Sequence, residues 1–178
     1  SIPADTGQIT NKATIELPNN ATVDTNGDDP STPDKTEDNP TSTTFGNLTI
    51  TKTSTNGTDP LAGAEFELYQ CKVSDQDSTK YELLGKALNV ATTETGSPST
   101  KLTTSGGDNR SSTAQGYGVP INSFAANTGT TNNDYCVLET KAPEGYVRNP
   151  EPQHVTIDVN ARTLAVSVEN QKNNIINQ

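Results

Sequence analysis

DYCVLET, residues 134–140, reads as an apolar strand with a glutamate where a core residue belongs. Strand side chains alternate between two faces, so Tyr135, Val137 and Glu139 share one face and Cys136 and Leu138 the other. Outward from it, KAPEGYV at 141–147 is a turn, and PQHVTIDVN (152–160) and RTLAVSVEN (162–170) are two further strands joined by Asn160-Ala161-Arg162. Upstream, FGNLTITKTS (45–54) alternates Leu48, Ile50 and Lys52 and ends in a turn at Asn56-Gly57. AEFELYQC (64–71) alternates Phe66 and Leu68 against Glu65, Glu67 and Tyr69. KYELLGKALNVAT (80–92) fits a strand pair or one short helical turn, and YGVPINSF (117–124) a short strand. Between them, Glu94 to Gln115 is rich in Ser, Thr and Gly and reads as a long polar loop. About seven short strands with no amphipathic helix predict an all-β fold, a β-sandwich.

Three strands share one oddity. Lys52 lies on the apolar parity of Leu48 and Ile50, Glu139 on that of Tyr135 and Val137, and Asn170 on that of Val166 and Val168. An isolated buried charge is costly unless paired or neutralised, so three such groups are least destabilising where they meet. In an apolar pocket a lysine loses its charge and becomes a nucleophile, while a glutamate stays protonated. That acid could polarise the asparagine carbonyl and move the proton from the attacking amine to departing ammonia. The product would be an amide between Lys52 and Asn170, with the fold itself holding the reacting atoms. Two plainer readings compete: strand-end residues that reach solvent, or a buried Lys–Glu ion pair beside a bystander asparagine.

Composition narrows the function classes. Lys+Arg number 12 and Asp+Glu 22 in 178 residues, a net charge of −10. That excludes non-specific nucleic-acid binding and disfavours an anionic membrane surface. No apolar run approaches the ~20 residues that span a bilayer. Hydrophobic residues are 29%, or about 36% with glycine against the roughly 45–50% of ordinary domains, so a smaller folded domain with a polar extension fits better than one large core. His154 is the one histidine, which excludes a histidine-rich metal site; no metal or cofactor is expected. Cys71 and Cys136 match no CxxC pattern and point to one structural disulfide in an oxidising, extracellular setting, against the alternative of two buried thiols. By parity both cysteines face away from the core, which would place a bridge on the outer face or at a strand end.

YCVLETKAPEGY at 135–146 resembles the E-box of Gram-positive pilins, Y-x-L-x-E-T-x-A-P-x-G-Y, with Val137 in place of the usual leucine. DPLAGAEFELY (59–69) resembles the second strand of CnaB-type domains, and LTITK (48–52) and VSVEN (166–170) resemble their first and last strands. The resemblance covers about 46–172. It implies an Ig-like β-sandwich of CnaB type, with Lys52 and Asn170 as an isopeptide pair and Glu139 as its catalytic acid. The placement of Cys136 just before the E-box valine, with Cys71 after the second strand, most resembles the C-terminal domain of Spa-type shaft pilins from corynebacteria. The implied partners are neighbouring subunits in a head-to-tail polymer, sortase and the cell wall, at an extracellular, cell-wall-anchored location. The implied chemistry is one self-directed turnover, not that of an enzyme in the usual sense.

The flanks complete the expected organisation. QITNKATIEL (8–17) alternates Ile9, Asn11, Ala13, Ile15 and Leu17 and reads as a strand. It resembles the last strand of a preceding CnaA-like domain, with Asn11 as a possible second isopeptide partner for a lysine outside this chain. Residues 1–20 are then that terminal strand, 21–45 an acidic linker around Pro30, Pro33 and Pro40, 46–173 the CnaB-type domain, and 174–178 a tail toward a sorting signal. Asp24, Asn26 and Asp28 imitate a calcium loop, but Asp29 and Lys35 stand where glycine and a bidentate glutamate are needed. The rival readings are the stalk or ligand-binding domain of a surface adhesin, and a carbohydrate-binding module. Both call for aromatic surfaces that a 4% aromatic content supplies poorly.

Overall fold

The computed structural model describes residues 7–11, 14–16, 36–38, 41–56, 60–108, 110–125 and 128–173, all of them strand, turn or irregular chain. In chain order the strands are β1 (Gln8–Asn11), β2 (Thr14–Glu16), β3 (Thr36–Asp38), β4 (Thr41–Ser54), β5 (Glu65–Val73), β6 (Tyr81–Leu84), β7 (Val90–Ala91) and β8 (Pro98–Ser99). They continue with β9 (Leu102–Thr103), β10 (Ser111–Ala125), β11 (Gly129–Asn132), β12 (Tyr135–Lys141), β13 (Gln153–His154), β14 (Thr156–Asp158) and β15 (Thr163–Asn170). The chain divides into two units, Ser1–Phe45 with Pro120–Asn133, and Gly46–Val119 with Asp134–Gln178.

In the first unit β1 pairs antiparallel with the start of β4, Asn11 opposite Thr41, and β11 pairs with the end of β10. β2 and β3 form a two-stranded sheet of their own. Within the stretch expected as an acidic linker, Thr36–Asp38 form β3 and β4 begins at Thr41. The stretch from 17 to 35, with the imitation calcium loop, lies outside the described residues.

The second unit is a two-sheet, Ig-like sandwich. One sheet has the order β14-β15-β4-β10-β7-β8; the other has β13-β12-β5-β6, with β9 also on β5. The interior is built by alternation. Leu48 and Ile50 of β4, Leu164 and Val168 of β15, Phe66 and Leu68 of β5 and Tyr135 and Val137 of β12 are all buried. The first and last strands of the unit, β4 and β15, pair in parallel, with Lys52 opposite Val168 and Ser54 opposite Asn170.

The stretch expected to be a long loop, Glu94 to Gln115, instead carries strand segments of both sheets: β8, β9 and the start of β10 lie in it. Two of its buried residues, Thr104 and Ser112, are polar and interrupt the apolar pattern that Leu102 and Ala114 would otherwise set. Thr104 is buried, donates its hydroxyl to the Leu61 carbonyl at 3.0 Å and accepts the Ala64 N–H at 3.0 Å. Ser112 is buried with its hydroxyl on the carbonyls of Ser105 and Gly106, both at 2.9 Å. Each buried hydroxyl is satisfied locally, so the core tolerates it. The short strand expected at 117–124 belongs to the 15-residue β10, whose buried parity slips from Ala114 and Gly116 to Val119 and Ile121 across Gly118, at φ 69°. Such a positive φ suits glycine alone at no cost. KYELLGKALNVAT becomes two strands, β6 and β7, one in each sheet.

Candidate functional site

Lys52, Glu139 and Asn170 are 0%, 1% and 2% exposed, so none is a strand-end residue reaching solvent. Alternation along β4, β12 and β15 aims each of them inward, as it does their apolar neighbours. Asn170 Nδ2 donates to Glu139 Oε2 at 2.8 Å and to the Val147 carbonyl at 2.7 Å. Glu139 Oε2 also accepts the Asn149 backbone N–H at 2.7 Å. Lys52 Nζ donates to the carbonyls of Val168 at 2.6 Å and Thr53 at 2.9 Å. Its hydrogen bonds thus go to neutral acceptors, which does not fit a simple Lys–Glu ion pair. Burial lowers the Lys52 ammonium from its ordinary 10.5 to about 8, against the opposing pull of the Glu139 and Glu169 carboxylates.

Two buried polar atoms of the site have no partner, Glu139 Oε1 and Asn170 Oδ1. They belong to side chains already bonded to each other through Oε2 and Nδ2. One proton on Oε1, given to Oδ1, would close an acid–amide ring and satisfy both. An unpaired buried acceptor costs about 1–3 kcal/mol, so these two atoms are where the site's polar groups are least satisfied.

The cysteines form the other pair. Cys71 and Cys136 are disulfide-bonded, Cα to Cα 5.7 Å, on the neighbouring strands β5 and β12. Register puts Cys136 level with Tyr69 and His154, and Cys71 level with Leu83, on the outer face of that sheet. The facing agrees with strand parity, yet Cys71 and Cys136 are 4% and 0% exposed. The cover comes from the sheet's two edges. Tyr81 of β6 and His154 of β13 stack with ring centroids 4.4 Å apart and planes 6° apart, and His154 Nε2 bonds Asp134 Oδ1 at 2.6 Å. Both rings project from the face that carries the bridge, so a stack joining opposite edges must pass over it.

The all-β sandwich agrees with the comparison to known proteins. Residues 46–172 match the family described as SpaA, prealbumin-like fold domain. The chain belongs to this family. The fimbrial subunit type 1 of Actinomyces viscosus is 32% identical over 148 residues, which are 70% of this chain and 25% of that protein. The full-length major pilin SpaD of Corynebacterium diphtheriae is similar with TM-score 0.57 at 26% identity, over 96% of this chain and 41% of that one. The major pilin SpaA of the same species shares the fold, with TM-score 0.54 at 21% identity, over 96% of this chain and 41% of that one. The chain therefore spans about a quarter of the curated relative and about two fifths of these solved pilins.

Within this SpaA-type domain the sequence reading missed one group, Val147, Arg148 and Asn149. Arg148 Nη1 donates to the Glu139 carbonyl at 3.0 Å, while Val147 and Asn149 act through their backbones. Backbone donors and acceptors leave no signature in residue type. Asn11 lies in β1, in the first unit, and its side chain is outside what the structure describes.

Proposed function

We propose that this chain is part of a structural shaft subunit of a covalent pilus on a Gram-positive surface, stabilised by an amide that forms between Lys52 and Asn170. In this reading 46–173 is a CnaB-type domain, 1–20 the last strand of a preceding domain, 21–45 the connection between them and 174–178 the way to a sorting signal. Its partners are further subunits, joined by sortase, and the cell wall. Asn11 awaits a lysine from the preceding domain. The protein turns over no substrate; its chemistry acts once, on itself.

One observation carries this reading: Asn170 donates both amide hydrogens, one to Glu139 and one to Val147, in a sealed site whose lysine is lowered to about 8. Neutral Lys52 Nζ attacks Asn170 Cγ. Glu139 gives its proton toward the amide, then takes one from Nζ, so its own state is restored. The Cγ–Nδ2 bond breaks, the Nζ–Cγ bond remains, and ammonia leaves. Because β4 and β15 open and close the domain, tension between the chain ends passes through that amide and bypasses the strands between them. Hydrogen bonds contribute only about 0.5–1.5 kcal/mol each and give way under load. Intact mass of the reduced protein tests the proposal: the chain should be lighter than its sequence by one ammonia, ~17 Da. Lys52→Ala, Asn170→Ala and Glu139→Gln should each keep the full mass of their sequences. A Glu139→Gln chain that still loses ammonia overturns the role of the acid.

A further inference from the structure

We propose that Val147–Asn149 is a positioning strap for amide formation, holding the acid and the leaving amide in register before Lys52 attacks; this rests on the Lys52–Asn170 reading above. Three consecutive residues each make one contact to Glu139 or Asn170, that of Arg148 to the main chain of Glu139. The Val147 carbonyl takes one hydrogen of Asn170 Nδ2, the Arg148 guanidinium holds the Glu139 carbonyl, and the Asn149 N–H bonds Glu139 Oε2. The strap is itself fastened to the chain that runs out of β15. Val147 N–H donates to the Gln171 carbonyl at 2.9 Å, Asn173 N–H donates to the Gly145 carbonyl at 2.7 Å, and Tyr146 bridges to Lys172. One short segment therefore ties β12, which supplies the acid, to β15, which supplies the amide.

The chemistry explains why this matters. Attack on an amide carbon comes along the normal to the amide plane. With both Nδ2 hydrogens engaged, the Asn170 side chain cannot rotate, and that plane is fixed relative to Lys52. The Asn149 N–H occupies Oε2 as an acceptor, which leaves Oε1 to carry the proton toward Asn170 Oδ1. The Val147 carbonyl stays bonded to the nitrogen, which departs with its own two hydrogens and the one that Glu139 passes on from Nζ, while Glu139 recovers the proton it lent to Oδ1. Val147 is 52% exposed, so the strap lies at the surface, outside the buried acid and amide it contacts.

Four variants of the full chain, followed by intact mass at intervals after synthesis in a cell-free system, test the strap. Asn149→Pro deletes the N–H, at a position that already precedes Pro150 and so is already biased toward extended conformations that proline adopts. Asn149→Ala keeps the N–H and loses the side-chain bond to the Glu151 N–H. Loss of ~17 Da should slow by about 10- to 100-fold in Asn149→Pro and stay at the wild-type rate in Asn149→Ala. Arg148→Ala should slow it less, and Arg148→Lys should restore part of the difference. Formation of the Cys71–Cys136 bridge reports folding independently of the amide. A bridged Asn149→Pro chain that loses ammonia at the wild-type rate overturns the strap. If Asn149→Pro does not fold, equal rates for Arg148→Ala and wild type overturn it instead. A wild-type chain that keeps its full mass overturns the amide itself.

Discussion

Lys52 and Asn170 lie 118 positions apart (170 − 52) on adjacent parallel strands of one sheet; Cys71 and Cys136 lie 65 apart on adjacent antiparallel strands of the other. Both pairs are sealed from water, by different means. The first is buried because its parity is the core's parity. The second faces outward and is buried because Tyr81 and His154 reach across from the two edges of the sheet. Strand parity names a face, but whether that face is wet depends on what the rest of the chain lays over it. The two pairs also differ mechanically. The lysine and asparagine bracket the domain, whereas both cysteines fall between them, off the path that an end-to-end force takes once the amide exists.

The sharpest way to break this contrast is to remove the outer pair. Lys52→Ala should unfold at low force and melt well below wild type, because a crosslink closing a loop of over ~100 residues contributes roughly 4–5 kcal/mol through the unfolded chain. Single-molecule pulling should then show the disulfide taking over. The 65-residue loop stays closed, and reductant should add about 220 Å of extension at roughly 3.4 Å per residue. Wild type should show neither event, and equal extensibility of the two proteins would remove the mechanical rationale.

The pH dependence of amide formation comes next in size. Only the neutral amine attacks, and Lys52 titrates near 8. In a slow variant such as Asn149→Pro, the rate should fall about tenfold for each pH unit below that value. It should level off above it as far as the lysine is concerned. A rate that keeps climbing toward the ordinary lysine range would mean the amine is not desolvated when it reacts.

Replacing both cysteines by serine should cost less in the condensed chain than losing the amide, roughly 2–4 kcal/mol, and should leave the force response unchanged. Thermal melting and pulling on the same protein separate the two effects. The smallest change belongs to the cover. His154→Ala removes a stack worth about 0.5–1.5 kcal/mol and should speed reduction of the disulfide by a thiol roughly 2- to 12-fold. An unchanged reduction rate would mean that the bridge is shielded by something other than the Tyr81–His154 pair.

The sequence alone determined the sandwich and three of the polar residues of its interior. Lys52, Glu139 and Asn170 were legible because each interrupts an apolar alternation, and alternation is a local, period-two property of any strand. Where the alternation is carried by hydroxyls, as at Thr104 and Ser112, the same rule fails, and strands β8 and β9 and the start of β10 read as a loop. The pairing of Cys71 with Cys136 was open to inference from count and setting. Their burial was decided by residues near the end of one hairpin and in a short edge strand. Only the tertiary structure decided that the first and last strands run in parallel, which sets the direction of load. It alone brought Val147, Arg148 and Asn149 against the acid and the amide. The Val147 and Asn149 contacts pass through backbone C=O and N–H groups, which nearly every residue carries, so residue types cannot encode them; only Arg148 contributes a side chain. They exist because the chain leaving β12 is tied, by backbone hydrogen bonds, to the chain leaving β15.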